Sequence, residues 1–150
     1  MTNPWYENDT PCIAAHQQPV VLIDMALSRA IDSHKLLRGA GFFYEDVLRG
    51  NLLLSPQQYY QLIANSQRLI DSNDTSFLAG QRLFPGNGGP VSTALLNARD
   101  LQQALEFLVK YRTVLSPLLA PRLHADQDFI YLYWQDSCGA GEQHVFLIEM

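Results

Sequence analysis

The side chains able to do chemistry in this sequence are few and scattered. Its four histidines are His16, His34, His124 and His144, and no two are spaced three to five residues apart. No turn of helix therefore presents a metal-ligating pair. His124 and His144 fall on or beside segments expected as strands and could approach each other across a sheet. Two unrelated strand histidines is the simpler reading. The two cysteines, Cys12 and Cys138, form no CxxC pair and read as idle or buried thiols in a reducing compartment. Cys138 sits in Ser137-Cys138-Gly139, without the strained strand-to-helix turn that exposes a nucleophile. The glycines Gly86, Gly88 and Gly89 lack the Lys-Ser/Thr of a phosphate loop and read as a turn. Asp126 and Asp128 are paired carboxylates that invite metal or acid–base chemistry, but a hairpin turn selects Asp for backbone reasons alone. Nothing here converges as an active site must, so no catalytic residue, metal or cofactor is expected.

Tyr59, His124, Tyr131, Tyr133 and Trp134 are the candidate ligand-binding residues. They combine apolar rings with hydroxyl, imidazole and indole tips, as small-molecule sites often do. Taken singly, each also fits ordinary core or a half-exposed surface ring. Cations are sparse: there are ten Lys and Arg in all, and Arg122 alone from residue 119 onward. A phosphorylated ligand normally meets clustered Arg or Lys, so an uncharged or weakly polar effector, aromatic, lipid-like or sugar-like, is expected instead.

These residues must be positioned by elements whose pattern changes along the chain. Residues 1–19, with Pro4, Pro11 and Pro19, read as a loose arm in which Trp5 and Tyr6 are the aromatics expected to dock. Short helices are expected over residues 20–30, from an Asp32–Ser33 cap through Leu37, and over residues 45–49. The clearest element starts at Ser55, an N-cap followed by Pro56 and completed as a capping box by Gln58. Tyr59, Leu62, Ile63, Ser66 and Ile70 then recur at helical spacing. Ser72-Asn73-Asp74 ends that helix and caps another carrying Phe77, Leu78 and Leu83. A tight connection over residues 85–90 leads to a short helix over residues 91–96. Asp100 with Gln103 opens a long amphipathic helix running to Leu115. Its stripe of Leu101, Ala104, Leu105, Leu108 and Arg112 is expected at the centre of the core. After Pro117 the period becomes two. Leu119, Pro121 and Leu123 alternate with other residues, as do Phe129, Tyr131 and Tyr133 with Ile130, Leu132 and Trp134, around a polar turn at residues 125–128. Residues 144–148 are expected to begin a third strand, which would leave the chain a fragment stopping before further strands. The fold expected is α+β, with N-terminal helices packed against a small antiparallel sheet formed by the C-terminal third.

Composition narrows the class. With 150 residues, 47% apolar and 17% charged, the chain suits one folded domain. Its formal net charge of −5 carries no electrostatic footprint for nucleic acid. No Lys or Arg precedes Arg29, and the apolar run at residues 20–23 is too short to span a bilayer, so a cytoplasmic location without membrane contact is expected.

Four blocks carry a resemblance. They are Leu36-Leu37-Arg38-Gly39-Ala40-Gly41; Leu-Ser-Pro-Gln-Gln-Tyr-Tyr-Gln-Leu over residues 54–62; Leu78 and Gly80 after the polar turn; and Ala-Leu-Leu-Asn-Ala-Arg-Asp-Leu-Gln-Gln-Ala-Leu over residues 94–105, continuing to Lys110-Tyr111. In this order and spacing the chain, from about Val20 to Met150, resembles the arabinose-binding-type N-terminal domain of AraC/XylS transcription regulators, in the subgroup without a cupin barrel. Lys110 stands where that family usually has Arg, and Gly88-Gly89-Pro90-Val91 departs from its usual turn. The resemblance implies that residues 20–150 are a bacterial regulatory domain that senses a small molecule and forms a homodimer. It implies DNA binding only through C-terminal helix-turn-helix motifs that this chain lacks. Two other functions compete: a ligand-free structural dimerisation module and, furthest, a small hydrolase or isomerase using His124 or His144.

Overall fold

A computed structural model describes residues 7–84, 90–112 and 117–150. Trp5, Tyr6, the glycine connection at residues 85–89 and Leu115 lie outside the described residues. Helices precede a C-terminal hairpin, and the fold is α+β as expected.

The long helix after Ser55 is the axis of the core. The Ser55 hydroxyl accepts the Gln58 N–H, and the Gln58 side-chain oxygen accepts the Ser55 N–H. That reciprocal cap fixes the start of a helix at Pro56–Ile70, here the fourth, α4. Its stripe of Tyr59, Leu62, Ile63, Ser66 and Ile70 is buried. It packs against α1 (Gln18–Leu27) and α2 (Ser33–Leu36). Apolar residues at Val21, Leu22, Ile23, Met25 and Ala26 are all buried in α1, so this helix is enclosed rather than laid on a surface. In α2 the Asp32 carboxylate accepts the Lys35 N–H, the cap expected from sequence. Asn65 of α4 reaches across and donates to the Leu36 and Arg38 carbonyls. It thereby holds the turn in which Gly39 and Gly41 take positive φ.

A third helix, α3 (Tyr44–Leu48), follows that turn. Beyond α4, Asp71 ends the helix in the left-handed conformation and α5 (Thr75–Leu83) begins. Then come α6 (Pro90–Leu96) and α7 (Leu101–Lys110), which pack on each other. Strands β3 (Leu119–Ala125) and β4 (Ile130–Asp136) form the hairpin, with Pro121 opposite Trp134 and His124 opposite Tyr131. The Asp126 carboxylate accepts the Asp128 and Phe129 N–H groups. The paired carboxylates therefore serve the turn, and these bonds to the charged form lower the Asp126 pKa. None of the helices among the described residues is long and apolar enough to cross a membrane.

Three expectations need correction. Residues 12–19 are not a loose arm. β1 (Ile13–Ala14) pairs antiparallel with β2 (Leu53–Leu54), and Ile13, Ala15 and Pro19 are buried. Residues 144–148 are not a third strand. After a 3-10 turn at Gly141–Gln143 they form α8 (His144–Glu149), which buries the adjacent pair Phe146 and Leu147 and packs against α5. A run this short cannot separate helix from strand by periodicity. The third concerns α7, which contributes no fully buried residue. Leu101 is 74% exposed, and Leu105 and Leu108 are half-buried. Its apolar face meets α6 and β3 on one side and a cavity on the other.

The packing of α8 depends on Gly80. A Cβ added there would overlap the backbone carbonyl of Met150. Gly80→Ala is therefore expected to cost about 1–3 kcal/mol, the usual range for overpacking, read as a lowered melting temperature. An unchanged melt would mean that α8 does not sit against α5.

Candidate functional site

A cavity of about 340 Å³ lies among the start of α1, the end of α5, helices α6 and α7, the hairpin and α8. Leu83 and Phe84 at the end of α5, Ser92 and Leu95 of α6, and Leu108 of α7 form one side. Leu119, Pro121 and Trp134 of the hairpin face it, and Leu147 to Met150 of α8 close one end. The strand alternation aims these hairpin residues inward. Leu119 and Pro121 are buried and Trp134 half-buried, while their neighbours Arg122, Tyr133 and Gln135 are exposed. The volume lies within the roughly 300–1,000 Å³ of small-molecule sites.

Of the five candidate residues, Trp134 alone lines this cavity. Tyr59 sits behind it, fully buried in α4, and its hydroxyl reaches the Met150 sulfur at 3.7 Å. Burial, followed by the neighbouring Tyr60, pushes its phenol pKa far up, so it is a neutral donor. His124, Tyr131 and Tyr133 lie on the opposite, outward face of the hairpin and are exposed. His124 stacks on Tyr131 with ring centroids 6.2 Å apart. The sheet thus divides the five instead of gathering them. The divider is the same period-two alternation that marked the strands, because odd and even residues of β4 face opposite ways.

His144 heads helix α8, so the meeting of His124 and His144 across a sheet does not arise. Among the described residues no three His, Cys, Asp or Glu side chains form a group that could hold a metal ion. Two residues that sequence reasoning passed over do position the site. Asp136 accepts the N–H groups of Cys138, Gly139 and Ala140, shaping the loop from β4 to the 3-10 turn. Glu149 accepts a 2.6 Å hydrogen bond from the buried Ser76 hydroxyl and pins α8 to α5. An Asp at a strand end before Ser-Cys-Gly was the available signal for the first, and nothing in the spacing announced the second.

A cluster of poorly hydrated acids lies elsewhere. Cys12 and Cys138 are free thiols. Burial, then Cys138, pushes the Cys12 pKa from 9.0 up to about 11, and burial, then Asp136, raises that of Cys138. Burial also raises the Tyr60 phenol, helped by Cys138, Asp136 and Cys12 in that order. The folded state then holds these protons more tightly than the unfolded chain does. Stability is unaffected below the ordinary thiol value of 9.0 and falls as pH rises from there toward about 11. Denaturant melts at stepped alkaline pH should show this loss, with Cys12→Ser losing less over that interval. A flat profile would contradict it.

The profile described as the arabinose-binding domain of AraC transcription regulator, N-term, matches residues 31–150. No curated protein matches the chain.

Proposed function

Since the chain belongs to the family of N-terminal arabinose-binding domains of AraC transcription regulators, we propose that it senses a small-molecule effector in the cavity that α6, α7, the hairpin and α8 enclose. The observation carrying this reading is the cavity itself. It is largely apolar, it has the volume of a ligand site, and residues from α1, α5, α6, α7, the hairpin and α8 converge on it. A ligand bridging α6, α7, the hairpin and α8 would couple its occupancy to the relative position of those elements, as sensing requires. Dimerisation fits the same reading, because two-fold regulators match paired half-sites on DNA. DNA contact belongs to another part of such a regulator, since this chain's charge of −5 disfavours phosphate. The setting is the cytoplasm, and the role is regulatory rather than enzymatic.

A screen of small apolar compounds by thermal unfolding tests it. A ligand at a hundredfold excess over its Kd stabilises by about 2.7 kcal/mol. That stabilisation should vanish in Leu95→Trp, which fills the cavity from a half-buried position on α6. A ligand that stabilises both proteins equally would place the site elsewhere.

A further inference from the structure

Resting on the sensing reading, we propose that the cavity takes an organic acid, with one carboxylate held by Arg112 and an apolar body lying along Leu95, Leu108, Trp134 and Leu147. Arg112, just past the end of α7, is the one cation among the described residues that line the cavity. It is half-buried and makes no ion pair or hydrogen bond among the described residues. A partly buried guanidinium beside apolar side chains, with no partner among the described residues, gains from a bound anion. The obvious internal partner is otherwise engaged: Glu149, the cavity's acidic side chain, accepts its hydrogen bond from Ser76. The other arginines near this region are placed differently. Arg82 is exposed on α5, and Arg122 lies on the outer sheet face with Gln135 3.4 Å away.

The same arrangement limits the head group. One guanidinium fork matches one carboxylate in bidentate geometry. A phosphate dianion would find no second cation among the described lining residues and would add charge beside Glu149. The remaining wall, with Leu83, Leu119 and Pro121, offers apolar surface for a chain or ring. This departs from the uncharged or weakly polar effector expected from the sequence: the proposed ligand is a monoanion, while phosphorylated compounds stay disfavoured.

Isothermal calorimetry with phenylbutyrate, phenylbutanol and phenylbutylamine tests the head group on a constant apolar body. The acid should bind roughly tenfold more tightly than the alcohol, the scale of one charge-assisted contact, and the amine should bind weakest. Arg112→Gln should erase the acid's advantage and leave the alcohol unchanged, while Arg112→Lys should keep part of it. The inference fails if the alcohol or the amine equals the acid, or if the preference survives Arg112→Gln. If the alcohol binds and the acid has no advantage, the cavity remains a sensing site and only the charge preference falls. If none of the three binds, both readings fall together.

Discussion

Leu62→Ala is expected to remove about 2–5 kcal/mol of unfolding free energy, the range for deleting a fully buried leucine. Leu62 is completely enclosed at the middle of α4, where α1 and α2 pack. Its loss leaves a void that three helices cannot jointly close without moving their caps. A domain has about 5–15 kcal/mol in total, so this one change takes a large share. Leu105→Ala on α7 provides the contrast. That side chain is half-buried in a helix with no fully buried position, so only part of its transfer energy is at stake, about 1 kcal/mol. Urea melts of both variants decide the matter. Equal losses would mean that α7 belongs to the core after all.

Asn65→Asp is expected to be comparably severe for a different reason. The Asn65 amide donates to the Leu36 carbonyl at 2.7 Å and the Arg38 carbonyl at 2.9 Å, at a residue only 3% exposed. Its oxygen accepts from Gln61 and Arg68. An ionised carboxylate cannot donate, so both carbonyls lose their partner and face a negative charge. Each buried polar group left unpaired costs about 1–3 kcal/mol, and charge adds to that. Asn65→Ala should cost roughly 2–5 kcal/mol on the same basis, and Asn65→Asp more. The loss of Asn65→Asp should shrink at acid pH, where a protonated carboxyl can donate one bond again. A melt insensitive to both substitutions would mean that the Gly39–Gly41 turn is held without Asn65.

Local chemistry was well expressed in the sequence. Ser55 with Gln58, Asp32 and Asp100 each cap the helix they announce, because a cap is decided within four residues. The hairpin followed from alternation plus the Asp126 turn for the same reason. What failed required knowledge of neighbours. The two-residue strands β1 and β2 carry no pattern of their own and exist because Ile13 and Leu54 meet across forty residues of chain. The stripe of α7 shows which face is apolar, but not whether protein or an open cavity covers it. The sequence reading grouped Trp134 with Tyr131 and Tyr133 as candidate ligand residues, yet parity sends the two tyrosines to the face opposite Trp134. Arg112 was visible only as a member of a helical stripe. Its place at the cavity depends on where α7 stops and how the hairpin folds back.

The proposed sensing site is the cavity behind the hairpin. Nuclear magnetic resonance of the isotopically labelled chain, titrated with uncharged phenylbutanol, tests it most directly and independently of the acid preference. Binding there should shift the Trp134 indole signal and the methyl groups of Leu95, Leu108 and Leu147, which line the cavity. The rings of Tyr131 and Tyr133 on the outer face should stay where they are. Shifts confined to those outer tyrosines, or none up to the solubility limit, would contradict a sensing site at this place.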